Sequence, residues 1–135
     1  MRIQYIGLEG INGPLVFLKT PPSISYDEQV ELILPNGEVR LGNVITVDKD
    51  ITTVQVYEGT DGIPIKNIKT VLKGKPLTLR LSKEILGRIF DGAGRPIDGL
   101  GEIISDVERN INGNSLNPIS REYPRNYIET GISSI

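Results

Sequence analysis

Any chemistry in this chain has to run on carboxylates. Its 135 residues include 17 Asp and Glu but no His and no Cys. That removes the commonest general base, thiol nucleophiles, disulfides, and thiolate or imidazole metal sites. Two carboxylates held in different environments could still divide the work of general acid and general base. Asp91 and Asp98, flanking Gly92-Ala93-Gly94-Arg95-Pro96-Ile97, are the best-placed pair. Their setting argues for structure instead, because Asp next to Gly is the usual signature of a side chain bonding its own turn. No apolar stretch nearby supplies the pocket needed to drive the two pKa values apart.

Other segments invite chemical readings that fail on residue type. Gly92-Ala93-Gly94 looks like a phosphate loop, but such a loop continues into Lys and Ser or Thr at the start of a helix. Here Arg95-Pro96 follows, and Pro96 lacks a backbone donor where phosphate would need one. Glu58-Gly59-Thr60-Asp61-Gly62 lacks the bidentate Glu that closes a calcium loop. Expectations of contact with a partner therefore fall on exposed loops: Asn12 near the start, Glu58 and Asp61, and Arg121, Tyr123 and Arg125 in the tail. Arg and Tyr are typical anchors at protein interfaces. These six are the candidate contact residues, with no catalytic, cofactor or metal residue expected.

Charge and composition narrow the partners. The formal net charge is -2, and only 5 Tyr and 2 Phe are present without Trp. Basic and acidic residues balance in both halves, so nucleic acid finds no electrostatic footprint. The longest uncharged apolar-rich run, Gly10–Leu18, is about half a spanning helix and contains Gly13 and Pro14. The opening Met1-Arg2-Ile3-Gln4 has no signal-peptide apolar core. A cytoplasmic protein is expected, peripheral to any membrane.

The elements that would carry those loops are strands. A single Ala and a single Met stand against 20 Ile, 9 Val and 8 Thr, a sheet composition. Val30, Leu32 and Leu34 alternate before Pro35-Asn36-Gly37, and Asn-Gly accepts the positive φ of a tight hairpin. Gln29–Leu34 and Glu38–Val47 should pair antiparallel, with Gly42 as a bulge or bend. Ile51–Tyr57 extends the meander. Arg2–Gly7, Pro14–Leu18 and Leu77–Leu81 bring the expected strands to six. Closure hides their edges, so residues 1–82 are expected to form a small closed six-stranded β-barrel. Ser82–Leu86 reads as one helical turn stopped by Gly87. After Ser82 the chain turns irregular, and Asn110–Pro124, with five Asn or Gly and two Pro, has too little apolar content to build its own core; much of Asp98–Ile135 is expected to be poorly packed or partner-dependent.

Several blocks, in order along nearly the whole chain, resemble the non-catalytic B (beta) subunit of archaeal- and vacuolar-type rotary ATPases. They are Gly10-Ile11-Asn12-Gly13-Pro14-Leu15-Val16, Leu34-Pro35-Asn36-Gly37, Val54-Gln55-Val56-Tyr57-Glu58-Gly59-Thr60-Asp61-Gly62-Ile63 and Leu86-Gly87-Arg88-Ile89-Phe90-Asp91-Gly92-Ala93-Gly94-Arg95-Pro96-Ile97-Asp98. Ile111-Asn112-Gly113, Asn117-Pro118, Ser120-Arg121 and Thr130-Gly131-Ile132-Ser133 complete the series. The Asn-Gly-Pro-Leu opening points to the B rather than the catalytic A subunit.

The resemblance implies a mainly β N-terminal region. It would be a crown barrel at 1–82, and then a connector leading into an α/β nucleotide-binding domain that this chain lacks. It further implies a regulatory part of a V/A-type ATP synthase or ATPase coupling ATP synthesis or hydrolysis to proton or sodium transport. The implied partners are the catalytic A subunit, the remaining B-subunit segment and peripheral stalk subunits. This piece is expected to bind no cofactor, ATP and ADP belonging to the complete complex, and to serve hexamer assembly without an enzyme activity of its own. The competing reading is a free-standing small β-barrel binding module using the Asn12–Pro14 and Glu58–Gly62 loops.

Overall fold

Alternation of buried and solvent-facing residues sets most of the strands. In the computed structural model, which describes residues 3–133, β4 (Glu28–Ile33) buries Glu28, Val30 and Leu32. β5 (Val39–Val47) buries Leu41, Gly42 and Val44, and β6 (Ile51–Val56) buries Thr52, Val54 and Val56. Apart from Leu41, buried on the far face, this two-residue period puts one face of an antiparallel meander in the core. β1 (Ile3–Ile6), β2 (Gly10–Asn12), β3 (Leu15–Lys19) and β7 (Lys69–Pro76) complete an antiparallel sheet in the order β1-β7-β4-β5-β6-β3-β2. Arg2, with which the first expected strand opens, lies outside the described residues. The core joins Leu8, Val16, Leu18, Val30, Leu32, Leu34, Val44, Val54, Val56, Ile63, Ile68 and Leu72.

Three expectations need correction. The sheet has seven strands and its ladder is not closed. Its two end strands, β1 and β2, belong to one stretch of chain broken at Gly7, whose φ is +93°. Along that break the N–H of Gly7 donates to Ile68 O at 2.8 Å, that of Leu8 to Ile65 O at 2.9 Å, and that of Glu9 to Phe17 O at 2.8 Å. The stretch thus passes from β7 at one end of the ladder to β3 at the other while keeping its donors satisfied.

The second correction concerns the strand beside β4. It is β7, which no alternation announced, whereas β8 (Thr78–Leu81) leaves the main sheet to pair with β9 (Val107–Asn110) in a separate ribbon. The third concerns two turns. Gly37 alone takes positive φ, at +88°, its N–H donating to Leu34 O at 2.9 Å while Leu34 N–H donates to Glu38 O at 2.8 Å. That is a turn with a glycine bulge, wider than a two-residue hairpin. Gly42 is no bulge: it sits in register between Val30 and Val56, and the shift in β5 falls between Val44 and Thr46. The helical turn is observed as Lys83–Ile85, with the Ser82 hydroxyl accepting from Glu84 N–H at 3.1 Å.

The connector crosses the outside of the sheet. Leu41, Lys73 and Lys75 share a groove with Leu79, Phe90 and Ile103, and Ile103 is buried. Beyond it no residue is buried, every described residue from Asp106 onward being exposed, although β9 still pairs with β8 and Glu108 with Lys75.

Glu28 bonds across to β7 where the β4–β7 register shifts. It is 3% exposed, and its carboxylate accepts from Gly74 N–H at 2.7 Å and Ser25 N–H at 3.0 Å. A buried donor left without a partner costs about 1–3 kcal/mol. Glu28→Ala is therefore expected to lower unfolding free energy by roughly 2–4 kcal/mol in urea titration, with Glu28→Gln losing less. An Ala variant within about 0.5 kcal/mol of the parent would show that water replaces the carboxylate without loss.

Candidate functional site

The β2–β3 turn and the loop after β6 meet at one end of the sheet. Asn12 pairs with Leu15 across a turn in which Gly13 has φ +57°. Val56 N–H donates to Pro14 O at 2.9 Å, and the Thr60 hydroxyl donates to Gly13 O. The loop 57–62 turns on Gly59 and Gly62, at φ +79° and +74°. Arg40 pins it from the β4–β5 hairpin, donating to Gly59 O at 3.0 Å and pairing with Glu38 at 2.8 Å. Asn12, Glu58 and Asp61 thus lie on loops that are bonded together, and all three are exposed.

Glu58 is where this end meets the connector. Its carboxylate pairs with the Arg95 guanidinium and accepts a long bond from Leu41 N–H, at 3.4 Å. Arg95 is held in turn by Asp91, Nε to Oδ2 at 2.7 Å, while Asp91 Oδ1 accepts from Ala93 N–H at 2.9 Å and Arg95 N–H at 2.8 Å. Gly94, at φ +79°, lets the loop press against β8: a Cβ there would fall 2.4 Å from Leu79 Cδ1.

A second clamp closes the segment around it. Arg88 grips Asp98 with two bonds, at 2.5 and 3.1 Å, and donates to Gly101 O at 2.5 Å. Asp98 also accepts from Ile89 N–H at 3.2 Å and Leu100 N–H at 3.1 Å. Bidentate, charge-assisted geometry of this kind sets position as well as energy.

These contacts decide what the carboxylates can do. For Asp91, partial desolvation pushes the pKa up, but the Arg95 and Ala93 N–H groups and the Arg95 guanidinium outweigh it and hold the value low. Asp98 is held far below the ordinary carboxylate range, chiefly by its bonds to Arg88. Both carboxyls are thus fixed as anions, and neither is a raised general acid. Among the described residues no group of three or more Asp or Glu is placed to hold a metal ion. Arg88 and Arg95 were not singled out from the sequence, although an Arg four residues after Asp91 is a spacing that could have suggested the second.

The tail residues do not join this cluster. Arg121, Tyr123 and Arg125 are exposed, Tyr123 at 94%, with no side-chain bond among the described residues.

The lowered carboxyls give a signed pH dependence. A carboxyl whose folded pKa lies below its unfolded value of about 3.9 adds stability that is present above that value and lost as pH falls through the folded one. The Asp98 side-chain carbonyl resonance is expected to titrate below the free Asp midpoint, with the Ile89 and Leu100 amides shifting in step. An Asp98 midpoint at or above about 4 would contradict the clamp.

Residues 9–67 match the family model described as ATP synthase alpha/beta family, beta-barrel domain. The V-type ATP synthase beta chain of Thermotoga neapolitana is 48% identical over 132 residues, covering 98% of this chain and 29% of the relative. That of Halothermothrix orenii is 46% identical over 132 residues, 98% and 28% of the two chains. The V-type ATP synthase beta chain 2 of Clostridium tetani is 47% identical over 135 residues, 100% and 29%. The chain therefore spans less than a third of the length of these curated relatives.

Proposed function

Because the chain belongs to the ATP synthase alpha/beta family, as the N-terminal region of a V-type beta subunit, we propose that it serves assembly within a V/A-type ATP synthase or ATPase. In that reading the enzyme couples ATP synthesis or hydrolysis to proton or sodium transport, and this piece belongs to its non-catalytic, regulatory subunit. Residues 1–82 act as the crown barrel, the split first strand standing as its sixth stave. Residues 83–135 act as the connector to the nucleotide-binding domain. The catalytic A subunit, the remaining B-subunit segment and the peripheral stalk are the partners, with ATP and ADP bound by the complete complex. The whole assembly would stand on the cytoplasmic side, peripheral to the membrane.

One observation carries this reading: alignments at 46–48% identity cover 132 to 135 residues, reaching beyond the matched barrel at 9–67 into the connector and its exposed tail. A tail of that kind holds Leu116, Ile119, Tyr123, Tyr127 and Ile128 in water, which makes sense when further polypeptide covers them. Asn12, Glu58 and Asp61 are the contact residues we assign to the barrel end, and Arg121, Tyr123 and Arg125 those of the tail.

Calorimetric titration of this chain with ATP tests the division of labour. No saturable heat is expected at micromolar nucleotide, whereas the reconstituted complex binds. Saturable micromolar binding by the chain alone would place chemistry here and defeat the assembly reading.

A further inference from the structure

Three Asn-Gly dipeptides occur in the sequence, Asn12-Gly13, Asn36-Gly37 and Asn112-Gly113. We propose that Asn112-Gly113 is a spontaneous modification site, deamidating through a succinimide in the native chain, and that the fold protects the other two. The inference is independent of the functional reading.

The reaction needs only water. The main-chain nitrogen of Gly113, having lost its proton to solvent, attacks Asn112 Cγ. The new N–C bond closes a five-membered ring, and the side-chain nitrogen leaves as ammonia. Water then opens the ring at either carbonyl, leaving an aspartyl or isoaspartyl residue at position 112 and one added negative charge. Glycine favours attack because no Cβ crowds its nitrogen. Asn117 offers a contrast, since Pro118 has no N–H to give.

Ring closure requires the Asn side chain to swing over the following nitrogen, and the three sites differ in that freedom. Asn12 is paired with Leu15 in the β2–β3 ladder, and the Gly13 carbonyl is bound by Thr60. Asn36 has its carbonyl oxygen taken by Glu38 N–H at 2.9 Å and its amide nitrogen 3.4 Å from the Glu38 carboxylate. Its hairpin is closed on both sides, by the Gly37 to Leu34 and Leu34 to Glu38 bonds. Asn112 stands one turn beyond the exposed strand β9. Its side-chain amide makes no hydrogen bond among the described residues, and the turn is held from Asn110 alone, whose Oδ1 accepts from Asn112 N–H at 2.9 Å and whose carbonyl accepts from Gly113 N–H at 3.0 Å, at the end of a wholly exposed strand. Opening free energies range from near zero in such segments to the global value in core hairpins, so the rates should separate.

The test incubates the full chain in neutral buffer and follows the three peptides by mass, with isoaspartyl residues detected by an isoaspartyl methyltransferase. Conversion at position 112 is expected to run about tenfold or more faster than at 12 or 36 in the folded chain, and the three rates should converge in urea. Gly113→Ala, which sets a Cβ beside the attacking nitrogen, should suppress product at 112 and leave the thermal transition of the barrel unchanged. Equal rates in the folded chain, an unmodified position 112, or undiminished product in the Ala variant would each overturn the proposal.

Discussion

Leu72→Ala is expected to lower the unfolding free energy by about 2–5 kcal/mol, seen as a fall in urea midpoint at unchanged slope. Leu72 is 1% exposed and belongs to the core cluster. It stands in register with Ile3 on β1 and with Val30 on β4, so its side chain supports the sheet where the split first strand attaches. Removing it takes away the transfer free energy of three carbons and leaves a cavity that a close-packed interior only partly refills. A domain of this size holds roughly 5–15 kcal/mol in total, so the variant should unfold at a clearly lower urea concentration. A loss below about 1 kcal/mol would show that β7 is not a wall of the core.

Gly42→Val should cost a similar amount for the opposite reason. A Cβ at position 42 would lie 2.4 Å from Gln55 O and 3.0 Å from Val54 Cγ1, both on the neighbouring strand β6. Carbonyl oxygen cannot rotate out of the way as a side chain can, so β5 and β6 must separate or slip. Overpacking of this kind costs about 1–3 kcal/mol and occasionally more. Strand propensity predicts the reverse sign, because Val is favoured over Gly on a pleated surface. The sign of the change in thermal midpoint therefore decides whether β5 and β6 approach as closely as described. A stabilised variant would contradict the structure at this crossing.

Which elements were legible depends on how many faces each one buries. β4 and β6 have one face in the core and one more open, and β5 follows them except at Leu41, buried on the far face, so their alternation is plain, and Pro35-Asn36-Gly37 marks the turn between the first two. β7 was not legible. Thr70 and Leu72 face the core, while Val71, on the opposite face, is buried as well. Lys73, Gly74 and Lys75 then interrupt any pattern. Residues that line the connector groove from β7 erase the two-residue signal, and no local pattern records which distant segment covers them. β2 is three residues between glycines, and β9 is wholly exposed, so neither carries a hydrophobic signature.

The site divides along the same line. Asp91 and Asp98 read from sequence as turn-makers, and the structure has both bonding nearby backbone N–H groups. Of their arginine partners, Arg95 stands only four residues after Asp91, whereas Arg88 lies 10 residues from Asp98 and the Arg95 to Glu58 pair spans 37, separations no local pattern records. An exposed pair such as Arg95 and Glu58 is worth only about 0–1 kcal/mol, so its consequence is orientation of the connector more than stability.

Reconstitution followed by native mass spectrometry tests the assembly role most directly. This chain would be mixed with a catalytic A subunit and a B segment covering the remaining length of the relatives. An alternating complex that contains all three polypeptides, and does not form when this chain is omitted, is the expected result. A complex of equal composition and yield without it, or a chain that stays free of the other two, would contradict the account.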